Sequence, residues 1–207
     1  MVFGRAGHSA IAARASRCIA HIPMLQSRPE PIPAAPPVWH GRSIVLVGLM
    51  GAGKSTVGKR LAGRLQLPFV DADSEIEAAA GMSISEIFAR YGEPHFRDGE
   101  RRVIARLVDG TPKVIATGGG AFVDERTRAL VLEQALAVWL DAEVEVLVDR
   151  VRRRDTRPLL RDRDPGEVLR ELAAVRNPLY ALAHVRVPSN HAPHDTTVRA
   201  ILEAIGK

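Results

Sequence analysis

Residues 48–55 read Gly-Leu-Met-Gly-Ala-Gly-Lys-Ser, the G-x-x-x-x-G-K-S spacing of a loop that wraps phosphates with its own backbone. Glycines suit it because the chain must curl until its N–H groups point inward, and side chains at those turns would block the approach. Gly51, Ala52, Gly53, Lys54, Ser55 and Thr56 are therefore the expected ATP-binding residues, with the Lys54 ammonium reaching the β- and γ-phosphates and the Ser55 hydroxyl ligating Mg²⁺. A second group with chemical potential is Asp71 and Asp73, spaced by one residue at the end of an apolar run. In an extended segment residues i and i+2 project to the same face, so both carboxylates could converge on one site. One would hold the Mg²⁺ shell near Ser55, and the other would orient an attacking hydroxyl and accept its proton. The competing role for Asp73 is to cap a helix beginning at residue 74.

These groups need elements to hold them. From residue 42 onward, apolar runs of strand length alternate with amphipathic helical stretches, the pattern of a parallel sheet covered by helices. Strands are predicted near 43–48, 68–71, 113–117, 135–140 and 185–188. Helices are predicted over 54–66, 74–81, 84–91, 93–109, 124–133, 142–152, 165–182 and 195–206. The phosphate loop thus joins a strand to a helix whose N-terminus favours anions. Ser83 and Glu86 form a capping-box spacing that starts a new helix. Residues 114–120 read as a buried strand ending in Gly118, Gly119 and Gly120, a turn open to close ligand approach and to positive φ.

In order along the chain, the phosphate loop, Asp71 and Asp73, residues 84–88, Gly92 and Glu93, Phe96 and Arg97, Glu100, the triple glycine, residues 157–160 (Arg-Pro-Leu-Leu) and residues 176–180 (Arg-Asn-Pro-Leu-Tyr) together resemble the shikimate kinases. The resemblance covers about residues 42–206 and rests on the order and spacing of the motifs, since the first alone says only P-loop. It implies a P-loop NTPase fold, a three-layer α/β/α arrangement around a five-stranded parallel sheet. It also implies a helical substrate-binding insert at about 73–110 and a lid at about 152–165. The implied reaction is transfer of the ATP γ-phosphoryl group to the 3-hydroxyl of shikimate, giving shikimate 3-phosphate in aromatic amino-acid biosynthesis. By the same resemblance Arg97 and Arg176 take the substrate carboxylate, Asp73 takes ring hydroxyls and is the candidate base, and Gly119 adds a backbone contact. Arg157 would come from the lid onto the transferring phosphate, as both a catalytic and an ATP-binding residue. Without the resemblance, an arginine on an amphipathic helix reads as a solvated residue. Two places depart from the family pattern. Residues 138–141 (Val-Trp-Leu-Asp) have the form of a metal-binding strand end but occupy the fourth strand, so Asp141 is read as the cap of the helix 142–152 and the metal role goes to Asp71, through water. The loop 187–192 lacks an arginine after Asn190, leaving the adenine contacts open; Arg150 is placed near the nucleotide, and His191 and His194 are read as exposed loop residues.

Composition sets outer limits. The 207 residues suit one domain with excursions, and 46% hydrophobic with 26% charged residues is ordinary for a globular chain. No apolar run approaches the length of a membrane span. The net charge of +5 is carried mainly by arginine. A nucleic-acid patch at residues 152–154 lacks an aromatic platform, so no nucleic-acid partner is expected. The single cysteine, Cys18, cannot form an internal disulfide, and a cytoplasmic, monomeric enzyme acting on small molecules is the expectation. Residues 1–41 carry no acidic residue before Glu30 and crowd prolines at their end, so they are set apart from the single domain 42–207 as a disordered extension. A mis-called start upstream of Met24 and an organelle-targeting segment stay open as alternatives. Two other functions also remain: a kinase of the same architecture with another small acceptor, such as gluconate or a nucleoside monophosphate, and a catalytically silent ATP-binding module.

Overall fold

The computed structural model describes residues 39–152 and 164–207. The N-terminal extension before residue 39, and Arg157 with most of the expected lid, lie outside the described residues. Five strands, β1 (Ile44–Val47), β2 (Phe69–Asp71), β3 (Val114–Ala116), β4 (Leu136–Asp141) and β5 (Val185–Pro188), form one parallel sheet in the order β2-β3-β1-β4-β5. All five match the predicted strands within a residue or two. β1 and β3 are wholly buried and β4 nearly so, as continuous apolar runs covered on both faces must be, whereas edge strand β5 alternates buried with exposed positions.

Strand order fixes where the helices go. The chain leaves β1 through α1 (Lys54–Leu65) toward the β2 edge, but leaves β3 through α4 (Glu125–Gln134) toward the β5 edge. Right-handed crossovers in opposite directions put α1 and α4 on opposite faces. Helix α7 (His194–Ala204) packs against α1, and α5 (Val144–Arg152) packs against α6 (Pro165–Tyr180). The result is the expected three-layer α/β/α fold. Because β1 lies between β3 and β4, the chain reverses direction at its C-terminal end, and open α/β sheets bind ligands at such switch points.

Between β2 and β3 the chain leaves the sheet through α2 (Ala72–Ala80) and α3 (Ile84–Leu107). The predicted capping box starts α3: the Ser83 hydroxyl accepts from the Glu86 N–H, and the Glu86 carboxylate accepts from the Ser83 N–H at 2.8 Å. Gly92, at φ 77° and ψ 173°, interrupts α3 just before Pro94, so the two helices expected there are two arms of one kinked element. Helix α2 corrects the sequence reading. It begins at Ala72, two residues early, because Asp71 rather than Asp73 is the cap, accepting from the Asp73 N–H at 3.1 Å.

Candidate active site

The first turn of α1 is built for an anion. Its cap position is Gly53 in the left-handed region at φ 91°, no side chain caps the helix, and no acidic residue occupies the first turn. The helix N-terminus therefore keeps N–H groups for phosphate oxygens. Lys54 is buried, and its Nζ donates to the Gly48 carbonyl at 2.7 Å and the Leu49 carbonyl at 2.9 Å, holding the ammonium across the loop. A cleft of about 290 Å³ opens here, lined by Gly51, Gly53, Lys54, Ser55 and Thr56 of the loop and by Asp71, Asp73, Gly118 and Gly119 opposite.

The Ser55 hydroxyl donates to Asp71 Oδ2 at 2.7 Å. Two hard oxygen donors this close, beside a phosphate cradle, suit Mg²⁺, which takes one or two protein groups and keeps water and phosphate oxygens for the rest of its shell. The two aspartates do share the cleft, though not for the reason the spacing suggested. Asp71 ends β2 and Asp73 stands in the first turn of α2, so a strand-to-helix junction, not an extended segment, turns both inward.

Gly118, Gly119 and Gly120 bring the other residues together. A Cβ on Gly118 would lie 2.8 Å from Asp73 Oδ1 and 3.1 Å from Glu100 Oε1. One on Gly120 would lie 2.5 Å from Arg97 Nη1, and one on Gly119 would lie 3.6 Å from Arg176 Nη1. Asp73, Arg97 and Arg176 thus meet at one turn, with the Gly119 carbonyl accepting from Arg176 Nη1 at 3.1 Å. The two arginines flank the phosphate cleft rather than line it. The expectation of positive φ fails for this turn; close side-chain approach accounts for Gly118 and Gly120 instead, while a Cβ on Gly119 would meet only ordinary contacts.

Sequence reasoning gave Glu100 no role. It is 2% exposed and accepts from Arg97 Nη1 at 2.7 Å, while Glu93 accepts from Arg97 Nη2 at 3.0 Å. Burial pushes the Glu100 carboxyl above its ordinary range, the Arg97 guanidinium draws it back, and Asp73 and Asp124 add to the push. Burial works against the Arg97 cation, but Glu100 and Glu93 outweigh it and leave its pKa raised. The guanidinium therefore stays charged and fixed in direction, 5.1 Å over the Phe96 ring. The signal available in the sequence was spacing, since Arg97 sits between Glu93 and Glu100 at helical intervals of four and three.

On the other side of the phosphate loop, Arg150 of α5 donates through Nη1 to the Gly51 carbonyl at 3.2 Å and Ser189 Oγ at 3.1 Å, and through Nη2 to the Asn190 carbonyl. Ser189 donates onward to the Ala52 carbonyl at 2.9 Å. Arg150 so ties the phosphate loop to the segment after β5, and a groove of about 340 Å³ runs between Arg150 and residues 191–194. Two readings need correction here. His194 is the first residue of α7, partly buried, with its Cε1 3.3 Å from where a Gly53 Cβ would stand, so it lines the cleft; His191 is exposed as expected. Asp141 does not cap α5, which starts at Val144; its carboxylate accepts from Arg186 Nε at 2.9 Å and Nη2 at 2.6 Å across the β4–β5 edge.

A phosphate-binding loop at the switch point, with Asp71 and Asp73 in its cleft and two arginines at the cleft's edge, is the arrangement of an ATP-dependent kinase of a small molecule. Comparison with known proteins narrows that class: a family model described as shikimate kinase matches residues 50–206. The shikimate kinase of Caulobacter vibrioides is 63% identical over 164 residues, covering 79% of this chain and 82% of that protein. The solved shikimate kinase from Acinetobacter baumannii in complex with shikimate superposes with a TM-score of 0.76 at 39% identity, covering 79% of this chain and 92% of that one. A gluconokinase from Sinorhizobium meliloti, at 21% identity, 80% and 92% coverage and a TM-score of 0.56, shares the fold. The chain belongs to the shikimate kinase family.

Proposed function

We propose that this cleft transfers the γ-phosphoryl group of ATP to the 3-hydroxyl of shikimate, with each residue in the role its position supports. Arg97 and Arg176 hold the ring carboxylate; planar forks meet a carboxylate bidentately, and Glu93 and Glu100 aim the first of them. Asp73, beside Gly118 and facing Lys54 across the cleft, orients the 3-hydroxyl and takes its proton as the oxygen attacks phosphorus. The bond from the γ-phosphorus to its bridging oxygen breaks, and ADP departs. Lys54 and the N–H groups of residues 51–56 neutralise charge on the transferring group, and Arg157 is the lid residue assigned to join them. Ser55 and, through water, Asp71 would hold Mg²⁺, which would supply charge neutralisation on the phosphates. Arg150 and residues 189–194 take the purine end.

The observation that carries this reading is the convergence of Asp73, Arg97 and Arg176 on one glycine turn at the edge of the phosphate cleft. A nucleoside monophosphate would also need groups to recognise its base, whereas gluconate, a hydroxylated acid like shikimate, is told apart by assay. Incubating the protein with ATP and Mg²⁺ and following ADP separates the acceptors. Release should depend on shikimate and stay at background with gluconate or nucleoside monophosphates; the reverse order would overturn the substrate assignment. Among the described residues no helix is long and apolar enough to cross a membrane. The protein is proposed to act in the cytoplasm as a monomer on small molecules, without a nucleic-acid partner. The substrate-binding insert is proposed to comprise about residues 73–110 and the lid about residues 152–165.

A further inference from the structure

One buried polar group beside the carboxylate-binding residues has no part in the transfer itself. Tyr180 ends α6 and is 1% exposed, its ring centroid 6.5 Å from that of Phe122 and 6.1 Å from that of Trp139. A phenol this deep needs a partner for its hydroxyl. It donates to the Gly119 carbonyl, the same oxygen that accepts from Arg176 Nη1 at 3.1 Å. Arg176 and Tyr180 stand four residues apart and so share one face of the helix. Burial pushes the Tyr180 phenol up to about 12, with Arg176 pulling the other way, so it remains a neutral donor across the working pH range.

We infer that Tyr180 is a positioning residue for the carboxylate site, acting through the Gly119 carbonyl to fix both the triple-glycine turn and the direction of Arg176. A carbonyl oxygen offers two lone pairs. With Tyr180 on one and Arg176 Nη1 on the other, and with Arg176 also acting on the phenol itself, the guanidinium is fixed in direction. Remove the phenol oxygen and the second lone pair opens, so Arg176 can turn inward to satisfy it, and the turn against which Asp73 and Arg97 lie loses its anchor. Tyr180 itself touches no substrate, so the cost falls on recognition of the acid.

This inference rests on the assignment of Arg97 and Arg176 to the carboxylate, and the test separates the two. Tyr180→Phe and Arg176→Lys are compared with the unaltered protein on shikimate and on its carboxamide, which keeps the hydroxyls and lacks the charge. Tyr180→Phe should raise KM for shikimate about five- to tenfold, the equivalent of one hydrogen bond, with kcat within about twofold. KM for ATP should stay where it was, and KM for the carboxamide should rise less than that for shikimate. An unchanged KM for shikimate, or a loss shared equally by acid, carboxamide and ATP, overturns the positioning role. If Arg176→Lys loses shikimate selectively while Tyr180→Phe does not, only this inference falls. If Arg176→Lys spares the acid, the carboxylate assignment falls and takes the inference with it.

Discussion

Asp73→Asn is expected to lower kcat by about three orders of magnitude while ATP binds as before, a loss within the range of a positioned general base. Asparagine has nearly the same shape and still accepts a hydrogen bond, so the variant removes proton acceptance and charge while leaving the cleft filled. Nucleotide binding should survive because the contacts expected for it lie on the other wall, in the loop 51–56 and at Arg150. Steady-state turnover alongside calorimetric titration with ATP checks both halves. Turnover near that of the parent protein would remove Asp73 from the chemistry.

Arg97→Lys is expected to raise KM for shikimate about thirtyfold with KM for ATP little changed, since a charge-assisted pair is worth about 1.5–3 kcal/mol. Arg97 already spends Nε and Nη2 on Glu93 and Nη1 on Glu100. A planar five-donor group can do this and still present an edge to a ligand, whereas a lysine ammonium drawn to buried Glu100 has no second edge to offer. Initial rates over a grid of both substrate concentrations give the two KM values. An effect of equal size on ATP would mean that Arg97 supports the fold rather than the acid.

The parts of this molecule that could be read from its residues are those in which one local rule dominates. The phosphate loop was readable because Gly53 and Lys54 need a left-handed turn feeding a helix N-terminus, and the structure has that turn at φ 91°. The strands were readable because a fully buried parallel strand must be continuously apolar, as β1 is. Errors came where two residues could satisfy the same rule. Asp71 and Asp73 are both good caps, and only tertiary placement of β2 selects the first. Asp141 also looks like a cap, but pairing of β4 with β5 brings Arg186 to it, and α5 starts only at Val144. His194 reads as a loop histidine until α7 is seen to start against Gly53. Glu100 and Tyr180 are contacts between elements far apart in the chain or hidden by burial, and a single sequence carries only their spacing from Arg97 and Arg176.

The measurement that bears most directly on the whole account is a crystal structure of this protein with shikimate and a non-hydrolysable ATP analogue. The carboxylate should lie between Arg97 and Arg176, with the 3-hydroxyl within hydrogen-bonding distance of Asp73 and directed at the γ-phosphorus above Lys54. A ring bound the other way round, with its carboxylate at the phosphates and Arg97 and Arg176 left to solvent, would contradict it.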